Sequence, residues 1–151
     1  MPEEIRRRLL LVDDDLAVLL SLKAVLEMSG FEVDSASSAA QARSRLQSSH
    51  YHMVITDMKM EEGQAGFQVI KGARESGYDP AIAILTAYPV DGSQWKEEGA
   101  HCLLVKPVHT DVLLRQIETL LVQHEYRKRG RASSSAIKSG VASDEPPDWR
   151  M

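Results

Sequence analysis

The chain has little cysteine, no long apolar run and no excess of positive charge, and each shortage removes a class of protein. One cysteine, Cys102, excludes an internal disulfide and a cysteine-based zinc cluster. No stretch approaches the roughly 18 apolar residues of a membrane span. Arg6, Arg7 and Arg8 precede only four apolar residues, Leu9 to Val12, before three aspartates, so nothing reads as a secretory signal. The expectation is a soluble, cytoplasmic protein with no membrane partner. Residues 1–126 carry 12 Lys+Arg against 19 Asp+Glu, a net −7, whereas residues 127–151 carry 6 against 3, a net +3. An acidic main part argues against a nucleic-acid surface.

With 151 residues, the chain has room for one domain with a true core. A short apolar run, a turn and an amphipathic stretch recur about five times. The apolar runs are Leu9–Val12, Phe31–Asp34, Met53–Thr56, Ala81–Leu85 and Cys102–Val105. Continuous aliphatic runs fit strands buried on both faces; the alternating second run fits an edge strand. Helices are expected over about Asp15–Ser29, from a Ser37 or Ser38 cap to about Ser48, over Phe67–Ser76, briefly within Pro89–Glu98, and over Asp111 to about Arg127. In the first of these, Leu16, Leu19, Leu20, Leu22, Val25 and Leu26 form a wide apolar stripe. Alternating strands and helices specify an α/β fold, a doubly wound parallel sheet with helices on both faces. Residues 1–127 make up this domain. Residues 128–151 change composition, with basic, Ser and Pro content and no sustained periodicity, and are read as a disordered tail with no DNA-binding domain.

In open sheets of this kind ligands bind where the strands end at their carboxyl side. Asp13 and Asp14 follow the first strand, Asp57 the third, Thr86 the fourth and Lys106 the fifth. Three carboxylates on one rim repel, by about 4 kcal/mol per pair at ~4 Å and an effective dielectric of 20. Lys106 offsets part of that repulsion, and a hard divalent cation such as Mg²⁺ would offset the rest. An aspartate beside Mg²⁺ and a lysine can attack an activated phosphoryl group. Asp15 is read instead as the cap of the first helix. His50 and His52 are read as structural, and Cys102 as a small core residue.

Four segments in order resemble the receiver domain of two-component response regulators, of the single-domain, chemotaxis-receiver-like kind. They are Leu9 to Asp15, Val54 to Met60, Leu85-Thr86-Ala87 and Val105-Lys106-Pro107. The resemblance covers about residues 7–126. It implies a flavodoxin-like five-stranded sheet of order 2-1-3-4-5. It implies that Asp57 accepts a phosphoryl group from a sensor histidine kinase or a histidine phosphotransfer protein. It further implies that Asp14, Asp57, Asp13 and the backbone carbonyl of Lys59 hold Mg²⁺, and that Thr86 and Lys106 bind the phosphoryl oxygens. The Lys106–Pro107 peptide would be cis. A downstream protein would read the altered surface, and the chain would be a monomer or weak dimer, an enzyme only toward its own phosphorylation. Several positions depart from the family pattern. Glu61 stands where proline is usual, the loop to Gly66 is one residue longer, and Leu103 replaces an aromatic residue. Thr86 and Lys106 are about two residues closer than is common, which implies an atypical output surface. Tyr88 is expected to shield the acyl phosphate, and Trp95 to anchor a partner or cover the shortened helix. Two alternatives stand beside this reading. In one, the Asp13-Asp14-Asp15 run is the opening of a haloacid-dehalogenase-type phosphatase with Asp13 as nucleophile. In the other, the chain is an unphosphorylated adaptor.

Overall fold

The computed structural model describes residues 6–58, 60, 65–87, 94–106 and 109–136, the side chains of 94 and 131–136 excepted. Five strands, β1 (Arg8–Val12), β2 (Glu32–Ala36), β3 (Met53–Thr56), β4 (Ala81–Thr86) and β5 (Cys102–Val105), alternate with α1 (Leu16–Met28), α2 (Ala39–Ser48), α3 (Gly66–Arg74), α4 (Gln94–Glu97) and α5 (Thr110–Ala136). The strands are parallel in the order β2-β1-β3-β4-β5. This is the doubly wound fold that the strand and helix pattern specified, in the flavodoxin-like strand order that the resemblance implied.

The period-2 alternation of strands divides the core between the two sheet faces. Leu10, Val12, Val54, Ile82 and Ile84 face α2 and α3, packing with Ala42, Leu46, Val69 and Ile70. Leu9, Leu11, Met53, Ile55, Ala83 and Leu85 face the other way, toward Leu19 and Leu26 of α1 and Leu113, Ile117 and Leu121 of α5. β3 and β4 are buried along their whole length, while the edge strands β2 and β5 are wetter. Arg45 of α2 donates to the Ser35 carbonyl at 3.2 Å, covering part of the β2 edge.

Helix starts follow side-chain chemistry. Asp15 caps α1, accepting from the Ala17 and Val18 amides, and Ser38 caps α2, accepting from the Gln41 amide. β2 runs two residues beyond the expected Asp34, because Ser35 and Ala36 stand in register with Leu11 and Val12.

Two expectations need correction. The stripe on α1 is wider than one face can bury: Leu19 and Leu26 are buried, but Leu16 is 64% and Leu20 69% exposed, and Met28 ends the helix 87% exposed. At 3.6 residues per turn these residues point away from the sheet. The last helix, expected to end at about Arg127, continues to Ala136. Lys and Arg are good helix formers, and Gly130 costs about 1 kcal/mol without breaking the helix. The proposed disordered tail therefore begins in helix; its residues 137–151 lie outside the described residues. The chain divides into two compact units, Met1–Leu121 and Val122–Met151, the second helical as far as Ala136.

Candidate functional site

The apolar runs of β1, β3, β4 and β5 each end at a polar residue, and those residues are delivered to one rim. The Asp13 amide donates to the Ala36 carbonyl at 3.1 Å, and the Asp57 amide to the Val12 carbonyl at 2.8 Å. The Lys106 amide donates to the Thr86 carbonyl, also at 2.8 Å. The sheet ladder thus fixes the main chain of Asp13, Asp57 and Lys106 just past the strands.

The side chains converge as expected. The Lys106 ammonium donates to Asp13 Oδ2 at 2.7 Å and lies 3.5 Å from Asp57 Oδ2. Asp13 and Asp57 are recessed, and Asp14 is exposed. The other Asp13 oxygen accepts from the Asp15 amide at 2.9 Å. Burial alone would lower the Lys106 pKa. The hydrogen bond to Asp13 and the fields of Asp13 and Asp57 outweigh it and hold the ammonium above its ordinary range. The cation is therefore fixed in its charged form between two carboxylates.

Asp13, Asp14 and Asp57 each offer an oxygen, and these oxygens lie within 4.8 Å of one another. An all-carboxylate donor set with one member open to water suits a hard cation that keeps part of its hydration, as Mg²⁺ does. Thr86, at the end of β4, is buried. Lys59, Glu61, Tyr88 and Pro107 lie outside the described residues.

Two features of this rim escape a reading by composition. Gly66 opens α3 against the segment that follows β3: its amide donates to the Met58 carbonyl at 3.0 Å. A methyl group built on it would stand 2.4 Å from the Asp57 carbonyl oxygen and 2.7 Å from the Met58 Cα. The fully buried Thr56 hydroxyl donates to the same Asp57 carbonyl at 2.9 Å.

The residues read as bystanders have local partners. His52 Nδ1 accepts from the Arg8 amide at 2.9 Å, and His50 stacks on Tyr78 with ring centroids 4.3 Å apart. Trp95, in the one-turn α4, is half-buried against the α2–α3 side of the core. Leu103 packs on the same cluster. Burial pushes the Cys102 thiol up, as expected of a small core residue. Among the described residues, no helix is long and apolar enough to cross a membrane.

The family model for the response regulator receiver domain matches residues 9–118. The sensor protein EvgS of Escherichia coli K12 is 30% identical over 149 residues, which are 95% of this chain and 12% of EvgS. The transcriptional regulatory protein PrrA of Mycobacterium leprae is 32% identical over 134 residues, 87% of this chain and 55% of PrrA. The chain thus spans only part of the curated relatives it matches. A CheY-like receiver domain protein from Methanospirillum hungatei superimposes with a TM-score of 0.75 at 26% identity, covering 82% of this chain and 99% of that one. TrrA of Thermotoga maritima, crystallised in complex with Mg²⁺ and BeF, gives 0.68 at 30% identity, covering 76% and 98%.

Proposed function

The chain belongs to the response regulator receiver domain family, and from that premise we propose that Asp57 accepts a phosphoryl group from a phosphohistidine on a sensor histidine kinase or histidine phosphotransfer protein. The observation that carries this reading is the placement of Lys106, 2.7 Å from Asp13 and 3.5 Å from Asp57 on a rim that also holds Asp14.

An Asp57 oxygen attacks phosphorus, forming a P–O bond as the P–N bond to the donor imidazole breaks. The imidazole nitrogen keeps the bonding pair and takes up a proton. Lys106, already charged and beside Asp57, turns its ammonium to the incoming phosphoryl oxygens, and the Thr86 hydroxyl donates to another. Asp13 holds Lys106 in place until then. Asp13, Asp14 and Asp57 would hold Mg²⁺, whose charge would offset both their mutual repulsion and that of the phosphoryl oxygens. The product turns one carboxylate charge into an acyl phosphate of about two, a net gain of about one negative charge on a rim balanced by one lysine, and that change alters the surface read by the next protein.

The exposed Leu16, Leu20 and Met28 of α1 offer the phosphodonor protein an apolar landing surface that begins beside the carboxylates. The domain itself then acts as a switch; its chemistry is confined to its own phosphorylation and hydrolysis.

Intact-mass measurement with acetyl phosphate and Mg²⁺, followed by mapping of the modified residue, tests the proposal. The expected result is one phosphoryl group on Asp57, absent in Asp57→Asn and without added Mg²⁺. Labelling at Asp13 would replace this reading by the phosphatase one. No labelling of a folded sample by either acetyl phosphate or phosphoramidate would favour the adaptor.

A further inference from the structure

We propose that Thr56 is a positioning residue for phosphorylation: its buried hydroxyl holds the backbone of the adjoining Asp57 so that the acceptor carboxylate keeps its aim. This rests on the reading of Asp57 as acceptor and adds to it a residue outside the charged cluster. At position 56 the sequence alone asks only for a β-branched strand former, which valine would satisfy equally well.

The geometry asks for more. Thr56 is the last residue of β3, paired with Val12 on one side and Ile84 on the other, and is fully buried. A hydroxyl at such a site must spend its proton on an acceptor. It spends it on the carbonyl of the next residue, Asp57, at 2.9 Å. A bond from one residue to its neighbour ties no two elements together, so it does little to hold the sheet or α3 in place. What it does fix is the peptide that leaves Asp57.

The peptide entering Asp57 is fixed independently, by the amide's bond to the Val12 carbonyl at 2.8 Å. The Asp57 Cα therefore sits between two anchored peptides. That sets the direction of its Cα–Cβ bond and restricts its rotamers. The chain is held again at Met58, which is buried in the core and whose carbonyl accepts from the Gly66 amide at 3.0 Å. Gly66 closes the far side of the Asp57 carbonyl, where even a methyl group would be too close. Replacing the hydroxyl by a methyl group removes one of the anchors on this peptide and lets the Asp57 carboxylate shift its aim relative to Lys106 and Asp14. Attack on phosphorus requires a narrow set of orientations, so the rate falls in a protein that remains folded.

The test compares Thr56→Val, Thr56→Ser and Thr56→Ala with wild type. Labelling of Asp57 by acetyl phosphate is followed as a function of Mg²⁺ concentration and resolved into a maximal rate and a half-saturating concentration. Thermal melts establish that each variant is folded at the assay temperature. Thr56→Val is expected to lower the maximal rate about three- to tenfold, the range one buried hydrogen bond is worth, while Thr56→Ser stays within about twofold of wild type. A folded Thr56→Val at the wild-type rate, or Thr56→Ser as slow as Thr56→Val, overturns the proposal. If Thr56→Val does not fold, the Ser and Ala variants decide: a fast Ser beside a slow Ala supports the proposal, and equal rates overturn it. Failure of the acceptor reading looks different, since then no protein in the series, wild type included, is labelled at Asp57, and the positioning role falls with it.

Discussion

Replacing Gly66 by alanine sets helix propensity against backbone packing, and the structure determines which prevails. Alanine favours a helix over glycine by at most about 1 kcal/mol, so propensity alone makes Gly66→Ala stabilising. The new methyl, however, would stand 2.4 Å from the Asp57 carbonyl oxygen, 2.7 Å from the Met58 Cα and 3.1 Å from the Met58 oxygen. Ordinary contact begins at about 3.4 Å, so the approach is too close by about 1 Å, and the obstructing atoms are backbone rather than movable side chain. Overpacking of this kind costs about 1–3 kcal/mol. The net expectation is a loss of about 1–2 kcal/mol, seen as a melting temperature lowered by about 4–8 °C in far-UV circular dichroism. Gly72→Ala, in the same helix, is the matched control. Its methyl meets Arg43 Cγ at 3.1 Å and Leu46 Cδ1 at 3.4 Å, both side chains that can yield, so its melting temperature is expected to hold or rise slightly. Because the displaced peptide carries Asp57, the proposed acceptor, Gly66→Ala should also slow its labelling, whereas Gly72→Ala should not. A Gly66→Ala protein that melts at or above wild type would refute the packing argument.

Three further predictions follow from other sites. Tyr51, buried and donating to Asp34 at 2.6 Å, has its phenol pushed from 10.0 up to about 12, by burial first and then by the bond to Asp34 and its charge. Its folded pKa lies above its unfolded one, so its contribution, of order 2 kcal/mol, is fully present below pH 10 and is lost as pH rises through 12. Absorbance titration at about 295 nm should show a late phenolate component that is diminished in Tyr51→Phe; all tyrosines titrating near 10 would contradict this. Asp15→Ala should lower stability by about 1 kcal/mol in urea and leave Asp57 labelling unchanged, because Asp15 caps α1; a selective loss of labelling would give Asp15 a chemical role instead. Leu20→Glu, on the exposed face of α1, should change stability by less than about 0.5 kcal/mol. It should also leave acetyl phosphate labelling intact while slowing transfer from the cognate phosphohistidine protein about tenfold; equal slowing with both donors would place the effect in the site rather than in docking.

The strands and the charged cluster were legible because both depend on local pattern. An aliphatic run that ends in Asp, Thr or Lys announces a buried strand and the polar residue at its rim, and Met53–Thr56 with Asp57 illustrates both. Features made by the approach of distant segments were not legible. Gly66 reads as one more loop glycine until α3 is seen to start against the Asp57 carbonyl. Thr56 reads as a strand former because its hydroxyl bond leaves no trace in periodicity. On α1, six apolar residues look like one stripe, and only the position of the sheet separates the buried Leu19 and Leu26 from the exposed Leu16 and Leu20. The end of α5 was misjudged because a charged, serine-rich segment was weighed by composition, although it lacks a proline or a strong cap to stop the helix before Ala136.

The order in which the cluster's members occur along the chain has a consequence for assembly. β1 and β3 are neighbours, so pairing the first half of the sheet already gathers Asp13, Asp14 and Asp57, and their mutual repulsion with them. Lys106 arrives last, one residue beyond the outermost strand β5, which adds only to β4. Until that edge is in place the acids lack their built-in counter-ion, and docking it relieves their strain. A chain lacking β5 would carry the three acids of the rim without the lysine that faces them.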